Sequence, residues 1–152
     1  MTTVYVTGAS AGLGYAIADI YAKNGYKVGM IARDAQALAA AAAAIGHDAV
    51  WAAADVGSFE ALQAAARDIE AKIGPPDIWI NDAMATLFSR FEDIAPEEYA
   101  RAIQVTLLGS VHGLKIALSY MKPRGHGHMI QIGSALAYRA IPLQAPYCSR
   151  SE

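Results

Sequence analysis

Short apolar runs alternate along this chain with longer segments in which apolar residues recur at helical spacing. The runs contain many β-branched residues, and they read TVYVTG, YKVGMIA, DAVWAAADV, DIWIND and GHMIQIGS. Uninterrupted runs of this kind are typical of strands that are buried on both faces of a parallel sheet. The helices between them would supply right-handed crossovers. The pattern therefore predicts an α/β fold with five parallel strands.

Three helices of ordinary length are predicted between the first four strands. Their predicted spans are 13–24, 35–45 and 59–73. Ile17, Ile20 and Tyr21 fall on one face of the first helix, which indicates helical periodicity. Ser58 precedes the third helix and is a residue type that caps helix N-termini well.

The fourth predicted helix is the longest. It begins at Pro96 and ends near Pro123 and Gly125, residues that favour the start and the end of a helix respectively. Its apolar residues form one stripe along the helix: Tyr99, Ile103, Leu107, Val111, Leu114, Leu118 and Met121. Such a stripe is typical of a helix that packs against a neighbour.

Composition favours a folded globular chain over a disordered one. Of 152 residues, 55% are hydrophobic and 17% are charged, and the formal net charge of −2 gives no basic field for nucleic acid or acidic membranes. The lone Cys148 cannot form an internal disulfide. The N-terminus lacks a basic leader, and no uninterrupted apolar run is long enough to span a membrane. We expect a single cytoplasmic domain over 1–152, without a metal ion, a nucleic-acid partner or a membrane partner.

The segment TGASAGLG, residues 7–14, stands between the first strand and the first helix. Glycines at positions 8, 12 and 14 allow a tight turn and keep side chains away from a bound diphosphate. The helix that follows directs free N–H groups and the positive end of its dipole at such an anion. A purely structural turn can use the same glycines, but the position in the first βα unit favours phosphate binding.

The glycine spacing, Gly-x-x-x-Gly-x-Gly after Thr7, resembles that of the short-chain dehydrogenase/reductase family. ADV at 54–56 is similar to the adenine-side motif of that family. NDAM at 81–84 is similar to its Asn-Asn-Ala-Gly motif, with Asp82 and Met84 as departures.

The resemblance continues through IGSALAYRAIPLQAPY at 132–147 and so covers essentially the whole chain. Ser134 and Tyr147 stand 13 residues apart, which is the interval of the active-site pair in the family. The resemblance implies a Rossmann-type doubly wound parallel sheet with the strand order 3-2-1-4-5. It also implies that the C-terminal strands and helices of the family are lacking here.

By this resemblance the chain binds a nicotinamide dinucleotide. The residues implied to contact it are Thr7, Gly8, Ser10, Gly12, Leu13, Gly14, Arg33, Asp55, Val56, Asn81 and Ala83. The segment MIARD places Ala32 where an NAD-specific acid would stand, followed by Arg33, and an arginine pairs with the 2′-phosphate of NADP. We favour NADP(H) over NAD(H). The alternative is that Arg33 is a solvated charge, and Asp34 caps the next helix in either case.

The resemblance implies that Tyr147 is the acid/base and that Ser134 holds the substrate oxygen. A phenol needs its pKa lowered from about 10 for this work, and a lysine four residues after the tyrosine does so in the family. Here position 151 is serine and the chain ends at Glu152. Thr106 also stands where many members have an asparagine that supports a proton relay. The sequence therefore leaves the activity of this chain open.

Three functions are compatible with these observations. The first is an NADP-dependent oxidoreductase acting on a carbonyl or a secondary alcohol. The second is a non-catalytic dinucleotide-binding fragment or interaction module. The third is another Rossmann-type protein such as a methyltransferase, which the Thr-Gly motif and the Ser–Tyr interval disfavour. Family members are longer, so the ending is typical of a fragment or a frameshift. We expect a homo-oligomer formed through the 97–121 helix or through the exposed edge of the fifth strand.

Overall fold

The computed structural model describes residues 1–46, 49–139 and 141–148. Five strands form one parallel sheet, and they are β1 (Thr3–Thr7), β2 (Lys27–Ala32), β3 (Val50–Ala53), β4 (Ile78–Asn81) and β5 (His128–Gln131). Their order is β3-β2-β1-β4-β5, which confirms the predicted doubly wound sheet. The strand order reverses between β1 and β4, and open α/β sheets bind ligands at the carboxyl ends of the strands at such a point.

Helices cover both faces of the sheet. They are α1 (Gly12–Lys23), α2 (Ala35–Ile45), α3 (Phe59–Ile73), α4 (Pro96–Ile103), α5 (Gly109–Arg124) and the short α6 (Ala145–Cys148). One core cluster packs the sheet against α1 and α2, and a second packs it against α3 and α5. Asp34 caps α2 by accepting from the Ala37 N–H at 2.9 Å, and Ser58 caps α3 by accepting from the Ala61 N–H at 3.2 Å. Both predicted caps are confirmed.

The buried face of α1 consists of small residues, namely Gly14, Ala18 and Ala22. Ile20 is 59% exposed, so its assignment to the packed face of the first helix was wrong. Small residues allow the helix axis to approach the sheet closely, and the larger Ile17 and Tyr21 flank the contact as partly buried side chains.

The long helix is continuous from α4 to α5 through a π-helical turn (Gln104–Leu108). The extra residue of a π turn rotates the following helix face relative to an unbroken α-helix. The face that meets the sheet therefore contains Gly113, Ile116, Ala117 and Met121. Pro123 lies inside the last turn rather than ending the helix, and Gly125, with a φ of 71°, forms the left-handed C-cap.

The middle of the predicted apolar stripe faces outward. Leu107, Val111, Leu114 and Leu118 are exposed by 44%, 41%, 42% and 40% respectively, whereas Met121 is buried. The middle of the stripe therefore does not pack within the described part of the chain, and it is available for the oligomer contact predicted through this helix. These four side chains form an outward apolar surface, which we call the helix stripe.

The long helix is also the one described segment with enough length and apolar composition to cross a membrane. It spans Pro96–Arg124, and its most apolar window has a mean hydropathy of 1.2 and is 33% buried. Core helices of α/β folds meet the same two criteria. Composition alone therefore gives weak support for a membrane span here.

Strand β5 lies at one edge of the sheet. Its hydrogen-bonding partner is β4, with Ile80 opposite Ile130, and no other strand within the described residues pairs with it. The second edge is formed by β3. An apolar strand with a free edge is a site at which another chain or segment can pair.

Candidate active site

The phosphate turn packs directly on the loop that follows β4. Gly8 has a φ of 73°, and a Cβ on it would lie 3.0 Å from the backbone of Ala83. A Cβ on Gly14 would lie 2.4 Å from the Gly8 carbonyl oxygen. Both positions require glycine, because a side chain at either one would push the turn away from its neighbours.

Thr7 fixes the same contact through its side chain. Its Oγ1 accepts hydrogen bonds from the Asp82 N–H at 3.1 Å and the Ala83 N–H at 3.2 Å. The side chain is buried, so it points into the fold and not towards a ligand. Thr7 therefore positions the turn and the loop relative to each other.

The first turn of α1 offers backbone N–H groups to an anion. Ala11 stands at the N-cap and has no side-chain oxygen with which to satisfy them. Ser10 is half-buried and Leu13 is exposed, so these two residues border the surface of the turn. The N–H of Gly14 differs, because it donates to the carboxylate of Asp82. Gly12 and Leu13 are the other residues of this first turn, and they are among those predicted to contact the cofactor.

Asp55, on the adenosine side of the predicted cofactor site, is held by two partners. One carboxylate oxygen accepts from the Gly57 N–H at 2.8 Å, and the other pairs with the guanidinium of Arg101. Burial would raise the pKa of this carboxyl, but these two hydrogen bonds and the charges of Arg101 and Arg33 hold the pKa below its ordinary value. Arg33 is exposed and lies close enough to Asp55 to act on it electrostatically.

Two predicted cofactor residues have their side chains inside the fold. Val56 is buried, and its carbonyl oxygen accepts from Nδ1 of His112 at 2.8 Å. Asn81 is also buried, and its Oδ1 accepts from the Trp79 indole at 2.8 Å. Its Nδ2 donates to the Ser110 carbonyl and to Oε1 of Gln131, each at 3.1 Å. Any contact that these residues make with a cofactor therefore comes from the backbone.

A cavity of about 760 Å³ opens beside this loop, at the carboxyl ends of β4 and β5. Ser134 and Tyr147, the predicted catalytic pair, both line it. Asp82, Met84 and Tyr138 line the same space. The structure thus brings together the catalytic pair and the loop that contacts the phosphate turn.

The side chains of the predicted catalytic pair are positioned by short elements. Ser134 begins a single 3₁₀ turn, and its Oγ accepts from the Leu136 N–H at 3.1 Å. Tyr147 lies half-buried in α6, which the structure describes over Ala145–Cys148. Position 151, a serine where the family resemblance predicts a lysine, lies outside the described residues.

Thr106 ties the cavity loop to the long helix. Its Oγ1 accepts from the Ala85 N–H at 2.9 Å and donates to the Ala85 carbonyl at 3.3 Å. It lies within the π-helical turn, and such turns are frequent at functional sites. A second contact joins the loop after β4 to the segment before α6, where the Ser89 N–H donates to the Leu143 carbonyl at 3.1 Å. Leu143 adopts a φ of 66°, an unfavourable backbone conformation for leucine.

Sequence reasoning missed three contributions to the site. They are the pairing of Arg101 with Asp55, the approach of Asp82 to Gly14, and the hydrogen bonds of Ser110 and Gln131 to Asn81. Each joins residues far apart in the chain, so periodicity and local spacing carry no signal for it. A sign in the sequence existed for one of the three, the approach of Asp82 to Gly14, because Asp82 departs from the asparagine of the family motif.

Comparison with known proteins agrees with this geometry. The family model described as short chain dehydrogenase matches residues 2–150. An uncharacterized oxidoreductase of Bacillus subtilis, YxnA, is 33% identical over 150 residues, which is 96% of this chain and 42% of that protein. The chain thus spans about two fifths of the length of this relative.

Two solved structures are similar over nearly the whole chain. A variant of the actinorhodin polyketide ketoreductase with NADPH superposes with a TM-score of 0.94 and 26% identity, covering 99% of this chain and 59% of that one. An alcohol dehydrogenase from the archaeon Thermococcus sibiricus, complexed with 5-hydroxy-NADP, gives a TM-score of 0.89 and 29% identity. That match covers 99% of this chain and 66% of the archaeal one.

Thr7→Val tests the link between the phosphate turn and the loop. The substitution keeps the shape but leaves the Asp82 and Ala83 N–H groups without their acceptor, and we expect the free energy of unfolding to fall by about 1–3 kcal/mol. Urea denaturation measures this loss. Thr3→Val is the matched control, because Thr3 is buried on the same strand and its side chain makes one hydrogen bond among the described residues, at 3.4 Å to the Ile73 carbonyl. Equal losses in the two variants would contradict the role of Thr7.

Proposed function

The chain belongs to the short-chain dehydrogenase family, and on that premise we propose that its protein is an NADP-dependent oxidoreductase acting on a carbonyl or a secondary alcohol. The observation that supports this proposal most directly is the position of the loop at residues 81–84. That loop packs on the phosphate turn, and it also lines the cavity that Ser134 and Tyr147 line. A dinucleotide whose diphosphate lies at the turn would have its reactive end directed towards that cavity. NADP(H), when bound, supplies or accepts the hydride.

The residues present fit such a cofactor. The N–H groups of Gly12 and Leu13, in the first turn of α1, would donate to the diphosphate, and the open space around Gly12 leaves room for it. Asp55 can accept a further hydrogen bond on the adenine side, because each carboxylate oxygen has a second acceptor position. Val56, Asn81 and Ala83 would contribute backbone groups.

Arg33 supports the preference for NADP(H). It is exposed at the end of β2, and within the described residues it forms no ion pair that would compete with a 2′-phosphate. Asp34, the neighbouring acid, is engaged in capping α2. Two similar solved structures contain NADPH and 5-hydroxy-NADP, which is consistent with this preference.

In the proposed reaction Tyr147 exchanges a proton with the substrate oxygen, and Ser134 donates a hydrogen bond to that oxygen. The tyrosine needs its pKa lowered, and the chain has serine at position 151 where the family has the lysine that does this. We therefore propose that this chain binds the cofactor and that turnover requires the lysine-bearing segment found in longer relatives. A dinucleotide-binding fragment without turnover is the second candidate function.

We also propose that the protein forms homo-oligomers. The helix stripe is contiguous and outward-facing, and apolar surfaces of this kind commonly mark protein–protein contacts. The free edge of β5 is the second candidate surface.

Arg33→Ala tests the cofactor preference. Loss of a charge-assisted contact with the 2′-phosphate should weaken NADPH binding about 10- to 100-fold and leave NADH binding nearly unchanged. Fluorescence titration of both nucleotides measures this difference. Arg67→Ala, an exposed arginine on α3, removes the same charge elsewhere and should alter neither affinity. Equal losses for NADPH and NADH would argue against a 2′-phosphate contact.

Tyr147→Phe tests the acid/base assignment. The chain itself should bind NADPH without reducing a panel of activated ketones, whereas the chain continued past residue 148 by a lysine-bearing segment should reduce them. In that extended protein Tyr147→Phe should lower kcat by about 10²–10⁴-fold at unchanged NADPH affinity. Tyr26→Phe, remote from the cavity, is the control. Undiminished turnover in the Tyr147 variant would exclude its proposed role.

Leu114→Glu tests association through the helix stripe. Sedimentation velocity should show a mass that rises with concentration for the chain and a monomer for the variant, because a buried unpaired charge opposes the contact. Ile20→Glu places the same charge on an isolated exposed side chain of α1 and should leave association unchanged. If the Leu114 variant still associates, the contact lies at the β5 edge. If the unchanged chain is a monomer at every concentration, neither surface forms a contact.

A further inference from the structure

We propose that Asp82 opposes the cofactor diphosphate electrostatically, so that binding of NADP(H) to this chain is coupled to the uptake of a proton by the Asp82 carboxylate. The inference rests on the proposed function, because it takes the phosphate turn as the diphosphate site. It concerns a residue in which this chain departs from the asparagine of the family motif.

The position of Asp82 is set by the contacts described above. Its own N–H donates to Thr7 at 3.1 Å, which fixes the backbone at the end of β4. Its Oδ2 would lie 2.8 Å from a Cβ on Gly14, and the Gly14 N–H donates to the carboxylate. The negative charge therefore lies against the first turn of α1, next to the N–H groups that would hold the diphosphate.

Among the described residues Asp82 takes part in none of the ion pairs. The titratable groups on α1 are Tyr15, Asp19, Tyr21 and Lys23, and Tyr138 and Tyr147 line the shared cavity. Lys23 is the cation among them, but it stands at the opposite end of α1 and pairs with Asp19 at 2.6 Å. The phenols are neutral near neutral pH and Asp19 is acidic, so these groups supply no cation to Asp82.

The environment already disfavours the charged form of Asp82. Burial raises the pKa of its carboxyl above the ordinary value, and the hydrogen bond from Gly14 offsets only part of this effect. A diphosphate at the same helix end would add negative charge a few ångströms away and raise the pKa further. A protonated carboxyl, in contrast, is neutral and can donate a hydrogen bond to a phosphate oxygen.

The sign of the pH dependence follows from this difference. At a pH below the pKa that Asp82 has in the unbound protein, its carboxyl is neutral both with and without cofactor. The affinity for NADP(H) is then not lowered by a charge on Asp82. As pH rises through the pKa of the free state and then through that of the bound state, the affinity falls and afterwards levels off. An asparagine at this position cannot titrate, so the coupling would be absent.

The test is NADPH binding to the chain and to Asp82→Asn, measured by fluorescence from about pH 5 to about pH 8, a range chosen to bracket a raised carboxyl pKa. The 2′-phosphate titrates near pH 6, so the pH dependence is taken as the difference between the two proteins. Asp19→Asn is the matched control. It removes one carboxylate from α1, about two turns after Gly12 and so away from the proposed diphosphate position. Calorimetry in two buffers with different ionisation enthalpies counts the protons taken up.

We expect Asp82→Asn to bind NADPH about 10-fold more tightly near pH 8, and we expect this difference to shrink as the pH falls. Proton uptake should occur in the chain and in Asp19→Asn, and it should disappear in Asp82→Asn. Equal affinities at every pH, or tighter binding by the unchanged chain near pH 8, would overturn the inference while leaving the cofactor site intact. Binding by neither protein would overturn the proposed function and the inference together, whereas binding by Asp82→Asn alone would support both.

Discussion

The close approach of the first βα turn to the end of β4 is the contact on which the rest of the site depends. Gly8 and Gly14 permit it because a side chain at either position would meet backbone at 3.0 Å or less. Thr7 then locks it with two hydrogen bonds to the loop after β4. This contact holds the first turn of α1 against the same short loop that lines the cavity.

A network of hydrogen bonds around the buried Asn81 restrains the start of that loop. Asn81 joins the indole of Trp79, the long helix at Ser110 and strand β5 at Gln131. Unpaired polar groups in this position would be costly, so each partner restrains the others. Thr106 extends the restraint to Ala85. The sheet and the long helix therefore fix the geometry of the cavity, since many of its lining residues lie on β4, β5 and α5.

Local sequence signals predicted much of this fold. Strong turn residues and apolar runs identified all five strands, and Asp34 and Ser58 marked two helix starts that the structure confirms. The predicted apolar stripe is buried over only part of its length, because the π-helical turn adds a residue that an ideal helical period does not contain. The pairing of Arg101 with Asp55 could not be predicted, since it joins two elements whose relative orientation is known only once the sheet is formed. The same holds for the contact between Asp82 and Gly14.

The two halves of the site differ in how firmly this chain holds them. The cofactor half consists of the turn, α1 and strand ends, all of which pack into the sheet and the two core clusters. The proposed catalytic half depends on a 3₁₀ turn at Ser134 and on α6, which the structure describes over Ala145–Cys148. An error of about 1 Å in the position of an acid/base can cost about 10²-fold in rate. The proposed cofactor half and the proposed catalytic half therefore rest on different parts of the fold, because the packed sheet holds the first and short elements beside the cavity hold the second.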